Sequence, residues 1–320
     1  MTNKSDKRVI VVGTRQSGLA LTQTGQVIEA LEKICEQHGY NYQFEIHKVV
    51  TKGDRILDVT LSKVGGKGLF VKEIEQALMD KEIDLAVHSM KDMPYELPQG
   101  LMNGATPRRF TPLDCLIMKE GSSIDDLPQG ARVGTSSLRR ASQLKHARPD
   151  LQLESIRGNI DSRIRKLDTE GFQAVVLAAA GMTRMGWEDR ISATIPVDIC
   201  LPAVGQGALG IECRSEDTEI RELLAHLNDR ETELAVLAER SFLGTLHGGC
   251  QVPIGAYATL VSQEEGEQPL LELTGMVGTP DGATLLKEMQ RGRDPEQLGR
   301  DVANVLIAGG ADRILAEIGG

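Results

Sequence analysis

Cys250 stands in Leu-His-Gly-Gly-Cys-Gln-Val-Pro, where the preceding glycines let the backbone turn and leave the sulfur uncrowded. That setting suits a reactive thiol, either a nucleophile or a covalent anchor. Cys35, Cys115, Cys200 and Cys213 have apolar neighbours and read as small core residues. His88-Ser-Met-Lys-Asp-Met-Pro94 follows a short apolar strand, where an α/β lobe usually carries catalytic loops. Lys91 beside Asp92 is either a surface ion pair of little worth or a carboxylate facing a cationic intermediate. In the second case, opposite charges ~4 Å apart attract by about 4 kcal/mol at an effective dielectric of roughly 20. Such an attraction matters to a reaction that develops positive charge.

Two Gly-Thr turns carry a second chemistry. Gly13-Thr-Arg-Gln-Ser17 and Gly134-Thr-Ser-Ser-Leu-Arg-Arg140 each join a strand to a helix, so backbone N–H groups at the helix start favour an anion. Arg15 and Ser17 in the first, and Ser136, Ser137, Arg139 and Arg140 in the second, add donors suited to carboxylate or phosphate. The plainer alternative is helix capping by Ser and Thr beside solvated arginines. Two matching turns, with Arg157 and Arg163 close behind, favour anion binding.

Other motifs fail on context. Gly205-Gln-Gly-Ala-Leu-Gly210 matches GxGxxG, but Pro202 precedes it and a strand, not a helix, follows. There is no GxxxxGK[ST] and no HExxH, and His247 with Cys250 is too few ligands for zinc, so no metal is expected. A net charge of −10 argues against nucleic acid as a partner. It conceals a basic stretch that includes Arg132, Arg139, Arg140, Lys145, Arg148, Arg157, Arg163, Arg165 and Lys166. Five widely spaced cysteines without CxxC, an apolar run of only Val9 to Val12 near the start, and no long apolar segment predict a cytoplasmic protein with no membrane partner.

The elements that must hold these residues repeat. Strand, Gly-Thr turn and helix occur around Gly13 and again around Gly134, and Asp84–Asp92 and Gln173–Gly181 both read as strand then loop. The βαβα alternation implies layered α/β lobes with a largely parallel sheet and a ligand cleft between them. Thr51 to Phe70, with Gly65, Gly66 and Gly68 around Lys67, reads as a mobile loop. From about Asp229 a strong helix, a Thr-Pro-Asp-Gly hairpin and further helix describe a small third domain. The fold class is therefore α/β: two similar lobes plus a small C-terminal α+β domain.

Gly-Thr-Arg-Gln-Ser, Val-Gly-Gly-Lys-Gly-Leu-Phe, His-Ser-Met-Lys-Asp, Gly-Thr-Ser-Ser-Leu-Arg-Arg, Arg-Gly-Asn, Leu-Pro-Ala-Val-Gly-Gln-Gly and Gly-Gly-Cys-Gln-Val-Pro occur in that order between residues 13 and 253. Together they resemble the hydroxymethylbilane synthase (porphobilinogen deaminase) family, with the last 60 or so residues resembling it only loosely. The resemblance implies lobes of the periplasmic-binding-protein type and a discontinuous first domain. The division would be 1–107 with 205–226, then 108–204, then 227–320 carrying the cofactor cysteine. It implies a monomeric transferase of porphyrin and haem biosynthesis, joining four porphobilinogen molecules on a covalent dipyrromethane cofactor attached through a thioether to Cys250. Asp92 matches the catalytic aspartate. Arg15, Ser17, Lys67, Ser89, Lys91, Thr135, Ser136, Ser137, Arg139, Arg140, Arg157 and Arg163 would hold the acetate and propionate groups of cofactor and substrate, and Thr51–Phe70 would be a lid. Gly18 stands where proline is common, and His247 where an acid often precedes Gly-Gly-Cys.

Two other classes compete with this reading. A non-catalytic bilobed anion-binding protein would need neither Asp92 nor Cys250. A hydrolase using Cys250 with His247 would keep a free, alkylatable thiol.

Overall fold

The computed structural model describes residues 7–55, 69–249, 252–262 and 268–319. The first lobe opens with β1 (Arg8–Arg15), α1 (Gly18–His38) and β2 (Tyr42–Val49). A short turn of helix, α2 (Lys52–Arg55), precedes α3 (Lys72–Met79), β3 (Leu85–Ser89) and β4 (Leu101–Ala105). Helix α1 begins where the Ser17 hydroxyl accepts from the Ala20 N–H, and ends at Gly39, whose left-handed backbone returns its N–H to the Cys35 carbonyl. Between those caps Val27, Leu31 and Cys35 repeat every fourth residue and are buried against the sheet.

The second lobe runs β5 (Asp114–Met118), β6 (Arg132–Gly134), α4 (Leu138–Ala147), β7 (Gln152–Glu154), α5 (Ile160–Thr169), β8 (Ala174–Ala178), α6 (Ala179–Arg184) and β9 (Ala193–Ile195). The chain then returns, and β10 (Leu209–Arg214) enters the first sheet between β3 and β4. Helix α7 (Thr218–Ala225) adds Ile220, Leu223 and Leu224 to the first lobe's core.

Both sheets have five strands of matching sense. The orders are β2-β1-β3-β10-β4 and β7-β6-β8-β5-β9. In each, three parallel strands are followed by one running the other way, β10 in the first lobe and β5 in the second. The expectation of largely parallel sheets is thus corrected to mixed ones. The strand that crosses between lobes starts at the end where its neighbour finishes, as Leu209 opposite Ser89 shows, so it must run antiparallel.

The third unit contains α8 (Arg230–Thr245), an antiparallel sheet of β11 (Ile254–Ser262), β12 (Leu270–Gly278) and β13 (Leu285–Gly292), then α9 (Pro295–Ala308) and α10 (Ala311–Gly319). Its core gathers Phe242, Ala256, Leu273, Val277 and Val302 from both layers. No helix among the described residues is long and apolar enough to cross a membrane.

One buried carboxylate joins all three units. Glu239 of α8 accepts from Arg109 Nη1 at 2.6 Å and Nη2 at 3.2 Å, from the Gly205 N–H at 2.7 Å and from the Ala258 N–H at 3.0 Å. Arg109 lies on the segment leaving the first lobe, Gly205 on the segment returning to it, and Ala258 on β11. Arg109 Nε also donates to the Gln206 carbonyl at 2.7 Å, so the two crossings are tied to each other as well. Removing one partner of such a pair strands a buried charge. Glu239→Gln should therefore lower the free energy of unfolding by about 3 kcal/mol or more, measured by urea titration. A loss of only a few tenths would show that the crossings are held by packing alone.

Candidate active site

Strand β3 carries His88 and Ser89 to the middle of the molecule, and a 3₁₀ turn over Met90–Asp92 follows. The turn lies on the Gly205–Gly210 run. A Cβ at Gly205, whose φ is +69°, would sit 2.5 Å from Met90 Cγ, and one at Gly210 would sit 2.3 Å from Met93 Sδ. Met90 and Met93 fill that space and pack with Ala208 and Val236. The glycines that imitate a dinucleotide fingerprint are thus the bed of the Asp92 turn, which is why no side chain is tolerated there.

The first lobe supplies one wall. Arg15 Nη2 lies 2.5 Å from Asp54 Oδ1, and its Nη1 lies 4.0 Å from Asp92 Oδ2. The Arg15 guanidinium also stacks 4.1 Å over the Phe70 ring. Gln23 Nε2 donates to Ser89 Oγ at 3.0 Å. A cavity of about 60 Å³ is lined by Arg15, Ser17, Gln23, Phe70, Ser89 and Asp92. The start of the expected lid is thus pinned: Asp54 also accepts from Thr51, and Arg15 holds its carboxyl below the usual range against the opposing effect of burial.

The second lobe supplies cations. Arg139 and Arg140 share Asp114: Arg139 Nη1 lies 2.7 Å from Oδ2, and Arg140 Nη2 lies 2.7 Å from Oδ1. Arg139 also donates to the Leu201 carbonyl at 2.7 Å, and Arg140 to the Val176 carbonyl at 3.0 Å. Burial alone would raise the Asp114 carboxyl, but the two guanidiniums hold it well below the carboxylate range. Both arginines are more than nine-tenths buried, so their heads are fixed behind the site and not waving at its surface. Arg163 Nε donates to the Gly158 carbonyl at 2.8 Å. Burial, then the nearby Arg140 and Arg157, pull its guanidinium down to about 10. Ser137 caps α4 by accepting from the Arg140 N–H, and Ser136 Oγ donates to the Ile156 carbonyl. Thr135, Ser136, Ser137 and Arg157 border a larger cavity of about 370 Å³, closed on one side by Pro280 and Asp281 of the third unit.

These groups act on one another across the lobes. Lys91 is pulled down to about 8, first by burial and then by Arg140, with Asp92 and Asp114 opposing. The structure thus brings Arg15, Ser17, Ser89, Lys91 and Asp92 to one wall and Arg139, Arg140, Arg157 and Arg163 to the other. Cys250 and Lys67, and the loop from 56 to 68, lie outside the described residues. The remaining cysteines are buried, and burial pushes Cys115 and Cys200 up to about 12 and Cys213 up to about 11.

Sequence reasoning missed Arg184. It sits at the end of α6, is 6% exposed, stacks 4.5 Å from the Phe110 ring and donates to the Gly207 carbonyl at 2.9 Å. Its Nε has no hydrogen-bond partner and no carboxylate pairs with it among the described residues, and burial pulls it down to about 10. A single arginine inside the apolar run from Ala178 to Trp187 is the signal that was there to read. Arg139 Nε is likewise buried and without a partner. A cluster of crowded cations with orphaned donors is what a ligand bearing several carboxylates requires.

A porphobilinogen deaminase family model, described as the dipyrromethane cofactor binding domain, matches residues 10–222, and the family's C-terminal domain model matches residues 233–308. Porphobilinogen deaminase of Paenibacillus macerans is 59% identical over 318 residues, covering 95% of this chain and 98% of that one. The Brevibacillus brevis enzyme of the same name is 59% identical over 307 residues, covering 96% of each. Among solved structures, a nutrient binding protein from Burkholderia cenocepacia bound to methionine superposes with a TM-score of 0.42 at 15% identity, over 68% of this chain and 90% of that one. A periplasmic substrate-binding protein of an ABC transporter from Coxiella burnetii gives 0.42 at 14%, over 68% and 91%.

The crowding around Lys91 has a measurable consequence. Its ammonium should give up its proton near pH 8, against about 10.4 for an ordinary lysine. Labelling by an amine-reactive reagent, followed by peptide mass spectrometry, should reach half its maximal rate at Lys91 about two pH units before other lysines. Coincident half-points would show that Arg140 and burial do not press on it.

Proposed function

The chain belongs to the porphobilinogen deaminase family, and from that membership we propose a residue-level account of how it acts. Its activity is that of hydroxymethylbilane synthase, a transferase of porphyrin biosynthesis that uses a dipyrromethane cofactor and builds a linear tetrapyrrole from porphobilinogen. The observation that carries the account is the meeting of Asp92 with an arginine- and lysine-lined wall, in a chain whose net charge is −10.

Porphobilinogen carries acetate and propionate groups, and burying them unpaired is prohibitive. Arg15, Lys91, Arg140, Arg157 and Arg163 supply the opposing charge, with Ser17, Ser89, Thr135 and Ser137 as hydroxyl donors; Ser136 gives its one O–H to the Ile156 carbonyl and must release it to serve as another. The capping roles of Ser17 and Ser137 use oxygen lone pairs and leave each O–H able to donate. Arg139 orders this wall from behind through Asp114. Arg184, with its orphaned Nε, belongs to the same set. Lys67 and Cys250 complete the assignment, Cys250 as the thioether anchor. Bound dipyrromethane supplies the primer and the nucleophilic pyrrole carbon.

Asp92 does the proton and charge work. Its carboxylate faces the carbon from which ammonia departs, stabilises the cation that forms on the incoming porphobilinogen, and takes the pyrrole proton after the new bond forms. Arg15, 4.0 Å away, holds the Asp92 carboxylate in orientation. The lobes and the wall together position the reactants, which is the larger part of the catalysis. The sheet memberships support a division into 1–107 with 205–226, 108–204 and 227–320; a cytoplasmic monomer is part of the same proposal and rests on the sequence reading alone.

Intact mass of the purified protein beside Cys250→Ser tests the anchor. An excess of two linked pyrroles in the parent, absent from the variant, is expected; equal masses after incubation with porphobilinogen would remove Cys250 from the role. Asp92→Asn should keep that excess and lose turnover by about 10²–10⁴-fold. A near-normal steady-state rate would remove Asp92 from the chemistry.

A further inference from the structure

The turn that carries Asp92 is held at both ends by buried charge that the chemistry itself does not use. At its start, His88 Nε2 lies 2.9 Å from Glu212 Oε2, and both side chains are almost wholly buried. Strands β3 and β10 pair with Gly210 opposite His88 and Glu212 opposite Ala86, so His88 and Glu212 share one face as diagonal neighbours. Glu75 of α3 reaches the same pocket. Burial, and then the Glu212 carboxylate, raise the Glu75 carboxyl, which favours the protonated form there and leaves the Glu212 charge to its other neighbours. The contact is one of charge and proximity: neither oxygen of Glu212 nor His88 Nε2 makes a conventional hydrogen bond among the described residues.

At the far end, Arg240 of α8 grips the backbone. Its Nη2 donates to the Pro94 carbonyl at 2.6 Å and to the Tyr95 carbonyl at 2.9 Å, and its Nη1 lies 3.9 Å from Met90 Sδ. No carboxylate forms an ion pair with Arg240 among the described residues; burial lowers its proton affinity, and the nearby Glu212 carboxylate opposes that. Glu212 is thus in contact with the imidazole at the start of the turn and acts through its charge on the guanidinium at the far end.

We propose that Glu212, with His88 and Arg240, clamps both ends of the 89–95 segment, and that Glu212 and Arg240 are positioning residues for Asp92. This rests on the assignment of Asp92 to the chemistry. Met90 and Met93 seat the segment on the Gly205–Gly210 bed from below, but a bed fixes height and not register along the chain. The charged ends fix register. Charges buried at such cost stabilise less than apolar packing of the same volume, so their use here serves geometry. An error of about 1 Å in a reacting group costs up to about a hundredfold in rate. Because Arg240 lies on the helix that leads to Cys250, ten residues further on, the clamp also fixes Asp92 relative to the unit that carries the anchor.

The test uses full-length Arg240→Met, Arg240→Lys, Glu212→Gln and Asp92→Asn, each incubated with porphobilinogen and weighed to verify cofactor loading. Steady-state kcat and KM at 25 °C and thermal unfolding are then measured together. Arg240→Met and Glu212→Gln should lose about tenfold to a hundredfold in kcat, with KM nearly unchanged and the cofactor mass present. Arg240→Lys, which can still donate to one carbonyl, should recover part of the rate. If Arg240→Met does not fold, Glu212→Gln, which alters one atom of the side chain, carries the decision. A normal kcat in Arg240→Met and Glu212→Gln, whatever their unfolding temperatures, would overturn the clamp. A normal rate in Asp92→Asn would instead sink the assignment on which the clamp rests; a collapsed rate there beside normal rates in the other variants sinks the clamp alone.

Discussion

Everything in this molecule that concerns a ligand depends on two lobes and a third unit being held at one junction, and that junction is a carboxylate. Glu239 receives both chain crossings and the first strand of the C-terminal sheet on its two oxygens. Four donors converge on one fully buried group, so none of the three units can shift far without stranding charge. Apolar contact would permit sliding at the same place. A directional acceptor does not, and the wall of cations in the second lobe keeps a defined distance from the Asp92 turn in the first.

A second carboxylate extends the same logic into the site. Asp114 begins β5 just after the outgoing crossing, and it accepts from Arg139, Arg140 and the Gln206 side chain, which itself belongs to the returning segment. One acid thus orders two arginines and ties them to the hinge. It also neutralises only one of their two charges. The surplus bears on Lys91 and Arg163, whose proton affinity is lowered first by burial and then by Arg140, with Asp92 opposing; in Arg184 burial alone lowers it. On the function proposed above, the carboxylates of cofactor and substrate would offset this crowding of cations. A local excess of cations is compatible with a net charge of −10 because other acids lie in exposed pairs such as Arg165 with Asp161 and Arg230 with Glu233.

Much of the fold is legible in the sequence because local rules and tertiary demands agree. Ser17 and Ser137 cap helices where the Gly-Thr turns predict, and Asp294 with Pro295 starts α9 where the chain reads as a new helix. The antiparallel strands are not legible, since β5 and β10 are short apolar runs whose direction is set by where the chain crosses, information that periodicity does not hold. At the site, residue types reveal the cations but not their partners. Arg139 and Arg140 look like surface donors in sequence, and it takes Asp114, some two dozen residues earlier, to turn them inward. Glu212 and His88 are more than a hundred residues apart and meet only because β10 inserts beside β3.

The glycine run shows how a motif and its meaning separate. In a dinucleotide site, glycines of this spacing let backbone approach a pyrophosphate. Here the same spacing lets two methionines approach backbone, at Gly205 and Gly210, and the gain is the same close packing without a ligand. Methionine suits the role because it is unbranched and can fill an irregular gap. Backbone and thioether therefore do beneath the turn what charge does at its ends: together they leave the Asp92 carboxylate little freedom except to face the cleft. A carboxylate mounted on a loop in this way gains the precision of a strand while keeping the reach of a turn.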